Sequence, residues 1–490
     1  MLTVEEIKTY IDNDAGSTKK KQARIGQRYY NAEHDILNYR ILYLNKDKQL
    51  VEDKTKSNAK ISHPFFMELV DQEVQHMLSE TDGIFKSDEP DLQAHLDEYF
   101  NSSEEFMAEL YEVMTDCISK GFAYAYAYKN KEGRTAFQCA DSLGVIEVKE
   151  KETDDGCAYV IFHYLDRIGK DNKKITRVQV WDEKQVWFYV QEENGTLQPD
   201  ESEKQNPRPH TLYGKSGDES TYFEGFGFIP FIRLDNNKQQ KSGLFPIKAL
   251  MDDYDLMACG LSNNITDMSE AYIAVTGFEG DDLDELALNF RAKKHIGVGD
   301  GGGIDIKTVE IPYQARQAKL ELDERNIYRF GMGFNATAQR DGNVTDDEVQ
   351  SRYVLLDMKC NKLEIRLKSF LRKLLKVVLA EINAENGTDY QQKDVYFEFK
   401  RKTVTNKVND AQVALTEANT RQTEINTLLN LREMYGDDTI TELIAEQLDI
   451  DVDKLKASMP KPEDDPVIAA QNKILTAPTE ETPTEGEMSA

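Results

Sequence analysis

A long amphipathic helix predicted in the middle of the chain constrains the fold more than any other feature. A short apolar strand at residues 229–234 and a polar turn precede it, and Pro246 stands where a helix needs no N–H. About 27 residues at ~1.5 Å per residue make a rod of roughly 40 Å, which suits the wall of a shaft or a buried helix of a large α/β enzyme. Its apolar residues recur every three or four positions and form one stripe: Ile247, Leu250, Tyr254, Met257, Leu261, Ile265, Met268 and Tyr272.

The opposite face of this helix is mainly acidic, and two partners are open for it. Carboxylates in such numbers stay in water or meet cations. We therefore expect the face to line a channel or to pack on a basic helix at residues 352–376. Its polar residues are Lys248, Asp252, Asp253, Asp255, Asn263, Asn264, Asp267 and Glu270.

A second, longer helix is predicted from Thr345, which has Glu348 at the reciprocal capping position, to Gly387. It would span roughly 55 Å. Between residues 352 and 376 it holds eight Lys or Arg against two acidic residues. We expect it to lie against acidic elements of its own chain or of a neighbour, with direct DNA contact as the alternative. Its apolar stripe is Leu356, Cys360, Leu363, Leu367, Phe370, Leu374, Val378 and Ile382.

The remaining pattern predicts an α+β protein with several structural units. Thr3 and Glu6 have capping-box spacing and open a short N-terminal helix. Between residues 121 and 232 the period changes to two, which indicates an antiparallel β region. Residues 80–116 hold twelve Asp or Glu against a single Lys, so that face is solvated or meets a basic partner. The end of the chain from Pro460 is predicted to be disordered.

Net charge and cysteine content limit the function. With 60 Lys and Arg against 89 Asp and Glu, the net charge is −29, which argues against tight binding of nucleic acid but permits nucleic acid that slides. The five cysteines form no CxxC pair, so neither a disulfide framework nor a zinc site is expected. The first residues show no basic stretch followed by an apolar run, and no run of 18 apolar residues occurs in the sequence. We expect a soluble protein without a membrane partner.

No motif supports a catalytic site. Gly297, Gly299 and Gly302 satisfy the dinucleotide pattern GxGxxG, but the alternating residues after them predict a strand where that motif needs a helix, so a hairpin turn is expected. The sequence has no P-loop, nucleophile elbow or HExxH. We predict no catalytic residue, no cofactor and no metal; the alternative is a nucleotide- or metal-dependent enzyme with a β-rich substrate domain. Four side chains able to ligate a hard cation are explained as well by helix capping: Asp341, Asn343, Asp346 and Asp347.

Short motifs between residues 29 and 254 follow one another in a specific order, within a similarity that covers roughly residues 1–450. They are 29–37 (YYNAEHDIL), Lys60-Ile61 with Phe66 and 69–71 (LVD), Gly121, 227–230 (GFIP), Asn236-Asn237 and 250–254 (LMDDY). In this order the chain resembles the portal proteins of tailed bacteriophages, specifically the long-tailed phage family of Gram-positive hosts. Residues 75–79 depart from that pattern, because similar proteins tend to have an aromatic residue and a closing glycine there.

The resemblance implies a ring of twelve copies at one capsid vertex of the virion, assembled in the host cytoplasm. Double-stranded DNA would pass through the ring in packaging and ejection, without sequence preference. The implied partners are the terminase large subunit, the head-tail adaptor, and the major capsid and scaffolding proteins. The implied units are a wing (1–243), a stem helix (244–270), a clip (271–310), a second stem helix (311–333), a tunnel loop (334–345), a spine helix with a returning wing strand (346–405), a helical crown (406–457) and a disordered acidic tail (458–490).

The resemblance also implies contact residues. One cation and several neutral hydrogen-bonding groups in the tunnel loop would allow transient contact with DNA phosphates without base reading. These candidates are Asn335, Gln339, Arg340 and Asn343. In the clip, the candidates for binding partner proteins are Arg291, Lys293, Lys294 and His295.

Overall fold

The fold is α+β and comprises two compact units, Met1–Thr403 and Val404–Ala490. A computed structural model describes residues 1–79, 83–151, 156–168, 173–193, 195–214, 221–267, 272–278, 298–307, 312–335, 346–401, 407–431 and 436–447. None of the helices in these ranges combines the length and apolar character that a membrane span requires.

Five helices lie in the described part of the first 120 residues. They are α1 (Val4–Gly16), α2 (Thr18–Tyr30), α3 (Phe65–Met77), α4 (Pro90–Leu96) and α5 (Glu104–Lys120), with a π turn at Asp97–Asn101 and a 3-10 turn at Asp35–Asn38. The predicted capping box at the start of α1 is confirmed, because Thr3 and Glu6 bond each other's backbone N–H groups reciprocally. At the end of α5, Gly121 takes a positive φ of 98°, the conformation that favours glycine.

The β region predicted between residues 121 and 232 is antiparallel, as expected. Its described strands are β4 (Phe122–Lys129), β5 (Thr135–Ala140), β6 (Val145–Val148), β7 (Tyr159–Ile168), β8 (Lys173–Trp181), β9 (Gln185–Glu192), β10 (Gln198–Pro199), β11 (Arg208–Pro209), β12 (Thr211–Gly214), β13 (Thr221–Glu224) and β14 (Phe231–Asp235). A three-stranded sheet has the order β14-β4-β5, and a larger sheet has the order β10-β9-β8-β7-β6 with β11 paired to β9. A separate hairpin, β12-β13, also lies here.

Smaller antiparallel pairs lie outside this region. They are β1 (Leu42–Leu44) with β2 (Leu50–Glu52), β3 (Phe85–Lys86) with β17 (Tyr396–Phe397), and β15 (Tyr272–Phe278) with β16 (Val298–Lys307). Of the three glycines expected in a hairpin turn, Gly299 and Gly302 are inside β16 instead, where its register against β15 is irregular, and Gly297 lies outside the described ranges. That turn prediction was wrong because glycine also permits a bulge. The strand expected after the glycines is confirmed.

Three long helices of the described ranges also belong to the first unit. They are α6 (Lys248–Asp267), α7 (Tyr313–Gly331) and α8 (Asp346–Asn386), and a 3-10 turn follows at Gln392–Asp394. The second unit contains α9 (Lys407–Asn430) and α10 (Asp437–Gln447). All eight residues of the apolar stripe predicted for α8 are buried. The helix is followed by Gly387, whose φ is 67°, at the position where its end was predicted.

The stripe predicted for α6 is confirmed only near the start of the helix, where Ile247 is buried and Leu250 and Tyr254 pack against a hydrophobic core. The buried line is Met251, Asp255 and Cys259, at spacings of four, whereas Ile265 is 53% exposed. A carboxylate and a thiol therefore occupy the side that faces the protein, which a pattern of apolar residues cannot indicate. Tyr272 also lies in β15 rather than in the helix.

The main core joins α3, α5, β4 and α8. Its tightest aromatic contact stacks Phe85 on Phe100, with ring centroids 4.0 Å apart. Where residues 75–79 depart from the motif pattern, Met77 is buried in this core, and His76 Nε2 lies 2.7 Å from the Asp357 carboxylate of α8. A hydrogen bond between α3 and α8 thus occupies that position.

Candidate functional site

The polar side of α6 is covered by an extended segment of its own chain, residues 57–63, which we call the strap. Every second backbone N–H of the strap donates to a helix side chain, and each successive acceptor lies four residues nearer the start of α6. The pairs are Ser57 with Asp267 Oδ1 (3.0 Å), Ala59 with Asn263 Oδ1 (2.7 Å), Ile61 with Cys259 Sγ (3.3 Å) and His63 with Asp255 Oδ1 (3.0 Å).

The spacing of these contacts has a simple geometric cause. Two residues of extended chain advance about 6.6 Å, and four residues of helix advance about 6.0 Å. An extended strap antiparallel to α6 therefore stays in register with one row of helix side chains over three repeats. The row at 255, 259, 263 and 267 supplies acceptors, so the strap's backbone donors are satisfied without a β-sheet.

Asp255 is the most buried member of this row, with 1% of its surface exposed. Nδ1 of His34 lies 2.6 Å from one carboxylate oxygen and Nδ1 of His63 lies 2.7 Å from the other. Burial works to raise the pKa of Asp255, but the hydrogen bonds from the two histidines outweigh it and leave that pKa below its usual value. The His34 ring in turn stacks on Tyr29, with centroids 4.5 Å apart.

A second cluster lies one turn earlier on α6. Lys248 Nζ lies 2.7 Å from Asp252 and 2.7 Å from Asp35, and Arg28 also pairs with Asp35 at 2.5 Å. Tyr29 donates its hydroxyl to Asp252. Burial opposes ionisation of Asp35, but Lys248 and Arg28 lower its pKa to about 2. Residues 28–35 are thus fixed to the start of α6 by charge as well as by hydrogen bonds.

The third side of α6 meets α7. Lys319 lies 2.6 Å from Asp253 and also pairs with Asp323 on its own helix. With its amide oxygen toward Arg316, Asn264 accepts from both terminal guanidinium nitrogens, at 2.6 and 3.1 Å. These contacts hold α6 and α7 together along their polar sides.

The acidic face of α6 is thus bonded to its own chain at positions other than the basic helix, and whether its exposed part lines a channel stays a prediction. Asp252, Asp253, Asp255 and Asp267 each bond a group of the same chain, in the strap, in residues 28–35 or in α7. We conclude that these four carboxylates stabilise the position of α6. The sequence could not indicate these bonds within the chain, because the partners of Asp252, Asp255 and Asp267 lie about 190 to 220 residues away.

The basic helix α8 does meet an acidic element of its own chain, as predicted. Lys359 Nζ lies 2.8 Å from the buried carboxylate of Glu73 on α3, and Arg401 pairs with Glu364. Other basic residues of α8, among them Lys362, Lys373 and Lys376, are exposed. The helix also exposes large apolar side chains, namely Val354, Leu355, Met358 and Ile365, the last to 73%.

The predicted contact residues lie mostly outside the described ranges. Asn335 is described and donates its amide to Glu324 Oε1 of α7 at 3.0 Å. The other tunnel-loop candidates, Gln339, Arg340 and Asn343, lie outside, as do the clip candidates Arg291, Lys293, Lys294 and His295. Among described side chains, no three His, Cys, Asp or Glu are grouped so that they could hold a metal ion.

Comparison with known proteins decides the family. A family model described as "Phage portal protein, SPP1 Gp6-like" matches residues 11–451. The chain belongs to this family of phage portal proteins. A portal protein of Bacillus phage SPP1 is 26% identical over 349 residues, covering 71% of this chain and 67% of that protein. A portal protein of Clostridium phage phiCD119 is 24% identical over 471 residues, covering 93% and 98%.

Among solved structures, a chain in "Neck of native GTA particle computed with C12 symmetry" superposes with a TM-score of 0.36 and 10% identity, over 78% of this chain and 89% of that chain. The family match confirms the resemblance drawn from the sequence motifs. Portal proteins are structural components of the virion, so the expectation of a non-enzymatic protein is confirmed and the enzyme alternative is set aside.

Sequence reasoning missed the strap and the His34–Asp255–His63 group. Two signals for them were present, because residues 29–37 and 250–254 both stood out as motifs. Nothing in a single sequence links an apolar helix pattern with a histidine 221 residues away.

Proposed function

We propose that this portal protein forms a closed ring of twelve copies at one capsid vertex and that double-stranded DNA passes through the ring during packaging and ejection. The observation that carries the proposal is the family match over residues 11–451. The net charge of −29 per chain is consistent with this role, because an acidic wall makes few of the cation–phosphate contacts that hold DNA in place.

The exposed side of α8 supports a ring. Val354, Met358 and Ile365 are each at least half exposed on a helix of 41 residues, and exposed apolar rows of this kind are usually covered by another protein. A neighbouring copy in a closed ring would cover the same row on every subunit, since each contact in a cyclic assembly is repeated identically.

Each unit implied by the resemblance has a proposed role. The wing (1–243) would face the capsid and scaffolding proteins, the helices at 244–270 and 311–333 would form the stem, and the crown (406–457) would face the interior of the head. The clip (271–310) would receive the terminase large subunit and later the head-tail adaptor, through Arg291, Lys293, Lys294 and His295. The tunnel loop (334–345) would touch DNA phosphates through Asn335, Gln339, Arg340 and Asn343.

The proposal is tested with a phage in which an early stop codon interrupts this gene. Infected cells should accumulate heads without DNA, and the wild-type protein supplied in trans should restore filled heads. The Asp255→Asn variant, supplied in the same way, is a control for partial loss of stability. It weakens the contacts that hold α6 in place and alters none of the proposed DNA contacts. Filled, infectious heads that lack the protein would contradict the proposed function.

A further inference from the structure

The hairpin β1-β2, which immediately precedes the strap, exposes every one of its residues. Its register pairs Leu44 with Leu50 and Leu42 with Glu52, so the three leucines lie on one face, since side chains alternate along a strand. Leu42, Leu44 and Leu50 are 50%, 65% and 67% exposed. The opposite face carries the pair Tyr43 and Val51, which are exposed as well.

The hairpin is preorganised although it belongs to none of the hydrophobic cores formed by the described residues. Asn45 accepts hydrogen bonds through its side-chain oxygen from the N–H groups of Asp47 (3.0 Å) and Gln49 (2.9 Å), which closes the turn. At the base, the Asp53 N–H donates to the Ile41 carbonyl at 2.8 Å. A two-stranded hairpin with no apolar face buried is marginal in water, and an exposed apolar face marks a surface that binds another protein.

The charge around the hairpin indicates its partner. Residues 40–60 hold six Lys or Arg against three Asp or Glu, within a chain whose net charge is −29. Residues 88–112 show the reverse, with nine Asp or Glu and no Lys or Arg. On α5 this acidic segment also has half-buried Met107 and Tyr111 beside the exposed carboxylates of Glu105 and Glu112.

We propose that the hairpin of one copy docks on the acidic surface formed by residues 88–112 of a second copy. The leucine face would cover the apolar strip of α5, and the lysines of the turn would meet the carboxylates at its edge. This inference rests on the proposed ring, because a ring gives every hairpin a neighbour. The inferred contact joins the wings of neighbouring copies and is separate from the contact proposed for the exposed apolar row of α8.

Zero-length cross-linking of Lys to carboxylate in rings built from mixed unlabelled and isotope-labelled chains tests the contact. Mass spectrometry should find Lys46 or Lys48 joined to Glu104, Glu105 or Glu112 in peptides of mixed label. Cross-links only within one label, or none in an assembled ring, would overturn the inference while the ring stands. Hairpin lysines joined instead to the capsid protein in whole heads would also overturn it.

Substitutions in the hairpin provide a second test of the docking. Leu44→Ser with Leu50→Ser should raise the protein concentration at half-assembly by ~10-fold and leave the urea midpoint of the monomer unchanged, because both leucines are exposed. Leu165→Ser, at a leucine 62% exposed on β7, is the matched control and should change neither quantity. Equal effects of the hairpin pair and the control would overturn the docking.

Charge exchange identifies the two surfaces directly. Lys46→Glu with Lys48→Glu, and separately Glu105→Lys with Glu112→Lys, should each weaken assembly, and all four changes in one chain should restore it. No restoration by the fourfold variant would overturn the pairing of these two surfaces. A wild-type chain that stays monomeric under every condition would overturn both the docking and the proposed ring.

Discussion

At the scale of single residues, Asp255 is the group on which the site depends. It is buried, ionised, and bonded to two histidines and to a strap N–H. A buried carboxylate with several donors is stabilising only while those donors remain, and losing the charge leaves them poorly satisfied. The side chain therefore connects three sequence regions: residues 29–37, the strap and α6.

Replacing this carboxylate should destabilise the first unit. Asp255→Asn should lower the free energy of unfolding by about 2 to 4 kcal/mol, because charge-assisted hydrogen bonds in a buried place are lost. Urea denaturation followed by circular dichroism measures the change. Asp267→Asn, at the exposed end of the same row, is the control and should cost less than about 1 kcal/mol. Equal losses would argue against a special role for Asp255.

The wild-type protein and the Asp255→Asn variant should differ in how their stability responds to acid. Because the pKa of Asp255 is lowered in the folded state, its contribution is present above the unfolded value of about 3.9 and disappears as pH falls through the lower folded pKa. The difference in urea midpoint between wild type and Asp255→Asn should be largest near neutral pH and shrink below about pH 4. A difference that grows in acid would contradict this sign.

At the scale of elements, the helices show what the sequence alone could and could not predict. For α8 the stripe, the end at Gly387 and the pairing with an acidic element were all predicted, because one continuous face is apolar and buried in the core. For α6 the predicted stripe holds only near the start of the helix, because farther along Asp255 and Cys259 are buried against polar backbone of the strap. The spacing of apolar residues indicates only which face of a helix packs on other apolar groups. It cannot indicate a polar contact with the strap, which is almost 200 residues away in the sequence.

The register of the strap can be tested by proline scanning. Ala59→Pro removes the N–H that donates to Asn263 and should cost about 1 to 3 kcal/mol. Lys60→Pro changes the neighbouring position, whose N–H makes none of the strap's bonds to α6, and should cost clearly less. The urea midpoints of both variants measure the difference. If the two prolines cost the same, the alternation of contacts along the strap is not what holds it.

At the scale of the whole molecule, the net charge and the family both support one proposal, a conduit that binds DNA weakly. Sequence motifs between residues 29 and 254 were sufficient to recognise the family, whose model matches residues 11–451. The motifs were insufficient to predict which residues contact DNA. Arg340 was assigned by resemblance alone, and Asn335 of the same predicted loop donates a hydrogen bond to Glu324 of its own chain. Which side chains face the DNA depends on how copies pack, and a single sequence contains no direct signal for that.

The tunnel loop makes a prediction at this scale. Arg340→Ala should lower the amount of DNA packaged per head and leave ring assembly intact, because one phosphate contact per subunit is lost. Arg340→Lys keeps the charge and should package nearly as wild type does. Genome length in purified heads, together with electron micrographs of the isolated rings, measures both effects. Unchanged packaging by Arg340→Ala would count against contact between the loop and DNA.

The central claim is the ring, and native mass measurement combined with electron microscopy of the purified protein tests it most directly. The account predicts closed rings with a central hole wide enough for double-stranded DNA and a mass twelve times the 56.1 kDa of one chain. High protein concentration and added scaffolding protein should both favour them. Monomers or dimers under all of these conditions, with no ring in any micrograph, would contradict the account.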